Sequence, residues 1–206
     1  MSALALTERA GLLALLSATG PLAPTLCDGW TTHDLAAHLA VRERRPDAAV
    51  GIVIPGLARR TERIRAGYRS GDYDRLIRLL AAPPWWSPFA VPAIDRIANA
   101  VEFFVHHEDV RRAVPGWQPR PLPRPAGEEL WKRAALARLP LRGAGMTVKL
   151  VAPGYGQRTI GTGPIGATVT GDPGEVLLLC FGRQRHSRAE VDGPQADRLR
   201  TAALGL

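Results

Sequence analysis

Between Pro115 and Pro125 five positions are proline, and the periodicity of the chain changes across them. Before this stretch apolar residues recur at helical spacing. Beyond Gly145 they alternate, as in strands. A proline-dense segment is a stiff, extended spacer that neither helix nor sheet can absorb. The chain therefore reads as two bodies, a helical one over residues 1–118 and a mixed one over 126–206, with a connector at about 115–125.

Within the helical part, Leu4 to Thr19 reads as a first helix, with Thr7 as its start and Leu12, Leu13, Leu15 and Leu16 as its apolar face. Gly20-Pro21 ends it. Thr31 followed by Asp34 has capping-box spacing and opens a second helix, which runs to about Arg45. Leu35, His38 and Leu39 share one face of it. Val50 to Pro55 reads as a turn into a third helix over Leu57 to Tyr68. Asp72 caps a continuation through Leu80, and a fourth helix spans about Ala93 to Val114.

That fourth helix carries two stripes. Ile94, Ile97, Val101, Phe104 and Val105 form an apolar one, and Asn99, Glu102, His106 and Asp109 a polar one. Residues three and four apart are neighbours on a helix, so Glu102 and His106 point the same way, one turn apart. A carboxylate and an imidazole so placed can share a divalent ion but cannot complete its shell. A histidine on an apolar stripe needs a partner, and His38 is one. Two histidines and a glutamate form a zinc-competent set with an open position. Asn99 and Asp109 are candidates for orienting the ligands. His107, a quarter turn away, fits a surface or capping role better than that of a ligand.

The second part is expected to hold a helix over Ala126 to Leu139 and strands at Met146–Val151, Gln157–Gly161 and Ala167–Thr170. A helix from Pro173 through Phe181, a short strand at Ser187–Val191 and a terminal helix over Ala196–Leu204 complete it. Gly161 to Gly166 formally matches a dinucleotide-binding fingerprint. Pro164 interrupts it and strand-like sequence follows, so it reads as a turn.

Lys+Arg outnumber Asp+Glu by 27 to 19, for a net charge of +8. Only Lys132 and Lys149 are lysines. The arginine excess, with abundant Ala, Gly and Pro, fits the coding bias of a GC-rich genome, and no nucleic-acid-binding signature accompanies it. Cys27 and Cys180 make no framework and read as packing residues of a cytoplasmic protein. A Cys27–His33 dyad stays open. No stretch has the length and apolarity of a membrane span.

Trp30 through Leu39, taken with Val101 through His106, resembles the N-terminal domain of the mycothiol-dependent maleylpyruvate isomerase family, part of the DinB-like superfamily of metal-binding four-helix bundles. The runs at 42–46 and 105–112 are similar to a short actinobacterial subgroup of metal-binding proteins. Gly171 to Arg183 and Ala189 to Gly193 resemble that family's second domain. The resemblance implies an α+β chain: an up-and-down four-helix bundle, then a small sterol-carrier-like α/β domain. It implies a divalent metal, zinc by expectation, on His38, Glu102 and His106, and mycothiol as co-substrate. The implied activity is isomerisation or S-transfer on a small electrophilic molecule. Arg183 is the candidate catalytic arginine, with Arg185 and Arg188 competing. The alternative is a metal- or ligand-binding module without turnover. The chain is shorter than the full isomerases, mainly in the second domain.

Overall fold

The computed structural model describes residues 3–49, 56 and 58–204, without the side chains of residues 49, 92 and 95–98. The chain is mixed α+β and divides into two compact units, Met1–Gln118 and Pro119–Leu206. The expected turn at Val50–Pro55 and the first residue of the expected third helix lie outside the described residues.

The first unit is helical: α1 (Ala3–Thr19), α2 (Thr32–Arg44), α3 (Pro46–Ala49), α4 (Ala58–Arg69), α5 (Tyr73–Leu79) and α6 (Pro92–Arg111). The expected capping box is present. The Thr31 side chain accepts from the Asp34 amide, and the Asp34 carboxylate accepts from the Thr31 amide at 3.1 Å. Asp72 likewise caps α5 through the Arg75 amide. α1 packs along α6, and α2 against α4. Leu12, Leu16, Leu35, Leu39, Leu80 and Phe103 form the shared core, each shielded from solvent. Burying side chains of this size contributes roughly 1.5–3 kcal/mol each.

Burial on α6 is wider than one stripe. From Asn99 to Arg112 nearly every residue is buried or half-buried, whereas Ile94, expected on the apolar stripe, is 41% exposed. The helix thus takes charges inside, and each is paired, as burial demands. Glu108 accepts from Arg111 and Arg112. His107 is not at the surface. Its Nδ1 lies 2.9 Å from Oε2 of Glu8 on α1, and a Cβ on Gly11 would come within 2.6 Å of its ring. Glu8 and Arg9, which interrupt the apolar pattern of α1, are both buried. Arg9 makes a two-pronged ion pair with Glu43 of α2 and lies over the Phe103 ring.

The second unit has a four-stranded sheet of order β2-β1-β3-β4, with β1 (Thr147–Ala152), β2 (Gly156–Ile160), β3 (Ile165–Thr170) and β4 (Glu190–Asp192). β1 pairs antiparallel with β2 and parallel with β3, and β3 pairs antiparallel with β4. Gly154, at a φ of 78°, supplies the left-handed step that returns β2 alongside β1. Between β3 and β4 runs α8 (Pro173–Cys180), buried at every residue. Its run from Val176 to Cys180 is apolar on every side, which makes it a core helix rather than an amphipathic one, and its one charge, Glu175, is in the first turn. The helix expected over Ala126–Leu139 is shorter: α7 spans Arg124–Lys132, and tighter 3-10 turns follow at Ala134–Arg138 and Pro140–Ala144. Pro140, at the start of the second 3-10 turn, lacks the N–H that a continuing α-helix would use there. Gly161–Pro164 is a bend between β2 and β3, as expected, and α9 (Ala196–Thr201) is the last helix.

Candidate metal centre

Two chain segments from α2 and α6 bring the chemistry together. His38 projects from the middle of α2, and Glu102 and His106 from successive turns of α6. The Nε2 atoms of both histidines lie 3.3 Å from the same oxygen, Oε1 of Glu102. The two imidazole rings are 5.3 Å apart between centroids and inclined at 71°. His38 and Glu102 are partly accessible, Glu102 the more at 25%, and His106 is buried.

The separations are compatible with two kinds of contact. Charge-assisted N–H···O bonds centre on about 2.7–2.9 Å. Metal–ligand bonds of about 2.0–2.1 Å in tetrahedral geometry place neighbouring donor atoms roughly 3.3–3.4 Å apart. The two contacts to Glu102 match the edge of such a tetrahedron. His38, Glu102 and His106 form a group that could hold a metal ion.

Behind His106 the contact is of the other kind. Its Nδ1 is 2.9 Å from Oδ2 of Asp109, a buried carboxylate one turn on. A second set, Cys27, His106 and Asp109, is also close enough to hold an ion. The Cys27 thiol donates to Asp109 at 3.3 Å. In that set the 2.9 Å contact is a hydrogen-bond length and is short for a tetrahedral edge. The geometry therefore favours Asp109 as the group that orients His106, leaving Nε2 for the ion.

Cys27 is the residue that sequence reasoning missed. It is not a packing residue, and its polar partners are Asp109 and His106 rather than His33. His33 instead sets its ring edge-on against Tyr73, with centroids 5.2 Å apart. The loop that carries Cys27 is fixed by the Leu26 amide, which donates to the Asp109 carbonyl at 3.0 Å. That carbonyl is in the last turn of α6 and has no partner within the helix. The Cys27 carbonyl accepts from the Trp30 amide, and the Trp30 ring then covers His38 at 5.2 Å. A rule for helix ends contained part of this signal, but nothing in the sequence assigns the partner.

Arg42 sits one helical turn beyond His38. Its Nε is 3.4 Å from Oε1 of Glu102, its Nη1 donates to Asn99, and its guanidinium lies over the Phe89 ring at 4.1 Å. Asn99 in turn donates to Glu43 at 3.4 Å. Asn99 is thus tied to the site through Arg42.

These neighbours set the charges. Burial opposes ionisation of Glu102, but Arg42 and the two histidines outweigh it and hold its carboxyl well below the usual range. Burial pushes the His38 imidazole down, so it is neutral. Burial works against charge on His106 too, yet its bonds to Asp109, Cys27 and Glu102 prevail and raise it well above an ordinary imidazole. One neutral histidine, one carboxylate and one histidine that gives up a proton on binding make a donor set suited to a divalent ion.

Arg183 belongs to the second unit, half-buried just past α8, where its Nη1 donates to the Phe181 carbonyl at 2.5 Å. Arg188 lies nearby, and its backbone amide donates to the buried carboxylate of Glu175.

No described helix is long and apolar enough to cross a membrane. Compared with protein-family models, curated proteins and solved structures, the chain matches none.

Proposed function

We propose that the chain is a cytoplasmic zinc protein with a DinB-like bundle, in which His38, Glu102 and His106 hold the ion and one coordination position stays open to a small molecule. The observation that carries this reading is the pair of 3.3 Å separations from Glu102 Oε1 to the two Nε2 atoms. These separations are longer than the usual charge-assisted bond and equal the donor–donor edge of a tetrahedral site. The partial exposure of His38 and Glu102 supports access from solvent.

An ion in that position supplies Lewis acidity, favouring the thiolate of a bound thiol or the hydroxide of a bound water. The remaining work falls to the chain. Asp109 holds the His106 ring in the tautomer with Nε2 free. Arg42 keeps Glu102 ionised and turned inward. Trp30 closes one side of His38 against water. By its resemblance to the mycothiol-dependent isomerases, the chain uses mycothiol as co-substrate in an isomerisation or S-transfer on a small electrophile, with Arg183 as the candidate contact for an anionic substrate.

The test is elemental analysis of protein purified without chelator, beside His38→Ala and Glu102→Ala. About one divalent ion per chain is expected, and both variants should lose it while keeping their helical signal. Wild-type protein that no divalent ion will load would overturn the proposal. Thiol consumption assays with mycothiol and a panel of electrophiles then separate enzyme from module. Metal loading without any thiol consumption leaves a binding module and removes the transferase reading.

A further inference from the structure

The second unit contains a cleft of about 570 Å³, lined by the two 3-10 turns after α7, by the edge strand β2 and by the bend that follows it. That is within the range of small-molecule sites. Three arginines line it: Arg138, Arg142 and Arg158. No carboxylate lines it, and among the described residues none of the three arginines forms an ion pair with one. A fourth guanidinium borders it, since a Cβ on Gly145 would come within 2.9 Å of Arg198 Nη2.

Arg158 is the informative member. It pairs with Leu150 across the β1–β2 ladder, and Ile160 pairs with Val148. Paired residues share a face of the sheet, and Val148 and Leu150 are wholly buried. Arg158 thus occupies the core-facing side of its strand, where an apolar residue would ordinarily stand. Its Nε is buried without a hydrogen-bond partner, and its guanidinium carbon lies 5.8 Å from the Trp131 ring centroid. An inward charge can protect a sheet edge from pairing with another chain. That purpose needs one charge, whereas three converge on this cleft. Leu141 and Ile160 give the same cleft an apolar wall.

The geometry points to a binding site for a small organic oxyanion with an apolar body, carboxylate or phosphate, held by Arg158 and Arg142 and capped by Arg138. Guanidinium groups bind both anions through paired N–H donors. The anion would satisfy the buried Nε and offset the repulsion among the arginines. This site is independent of the metal centre, and neither depends on the other.

Calorimetric titration of the full chain with phenyl phosphate and with benzoate tests it, with inorganic phosphate and benzyl alcohol as the anion alone and the body alone. One of the two aryl anions should bind saturably at one site per chain, at least tenfold more tightly than either control. The tighter of the two identifies the headgroup. Arg158→Gln and the exposed Arg142→Gln should each weaken binding at least tenfold, and Glu102→Gln should leave it unchanged. Absence of saturable binding, no preference over the controls, indifference to both arginine substitutions, or loss of binding in Glu102→Gln would each overturn the inference.

Discussion

His106 Nδ1 lies 2.9 Å from Oδ2 of Asp109, at the ring nitrogen opposite the one that faces Glu102. One imidazole therefore connects a buried carboxylate to the candidate ion position. Asp109→Asn keeps the shape but removes the charge that orients the ring. Competition with a chromophoric chelator should show metal affinity reduced by about 10–100-fold, the usual cost of losing such a partner. Affinity equal to wild type would take Asp109 out of the site.

Metal uptake should depend on pH in a definite direction. His38 is pushed down and is neutral near pH 7, and Glu102 is held ionised. His106 is raised well above the ordinary imidazole value, so in metal-free protein it carries a proton that the ion must displace. Affinity should therefore climb by about tenfold per pH unit through neutrality and level off above the raised value. Proton release measured by calorimetry in two buffers should approach one per ion near pH 7. Zero release would contradict the charge assignment.

The Arg9–Glu43 pair joins α1 to α2 inside the core. The side chains are 4% and 0% exposed. Glu43→Leu leaves a buried guanidinium without its counter-ion and should cost about 3–5 kcal/mol in urea denaturation. Adding Arg9→Met should recover most of that loss, since an apolar pair of similar volume carries no charge to desolvate. A double variant no more stable than the single would show that packing, and not charge, sets the cost.

The two cysteines should differ in reactivity. Cys180 is fully buried in α8, and burial pushes its thiol up to about 12. Cys27 is half-buried. In folded protein iodoacetamide should add one group per chain at Cys27, and Cys27→Ser should add none until denatured. Labelling of Cys180 without denaturant would mean that the second unit opens locally.

The local features were legible from residue order because they depend on neighbours within one turn. The Thr31–Asp34 box, the start of α5 at Asp72, the Glu102–His106 face and the bend at Gly161–Pro164 all follow from backbone geometry over three or four residues. The period change at the proline-rich stretch likewise separates helical from sheet-containing sequence, because each fold type buries a different set of positions. Tertiary packing decided the rest. It buried Glu8 and Arg9 and turned His107, which read as a surface or capping residue, onto Glu8 of α1, since a charge is stable inside once its partner arrives from another helix. It placed Cys27 against Asp109 through one amide bonded to a helix-end carbonyl. It set His38 and Glu102 3.3 Å apart across 64 positions of sequence, a separation that no periodicity encodes, because it depends on how two helices pack and not on the spacing within either.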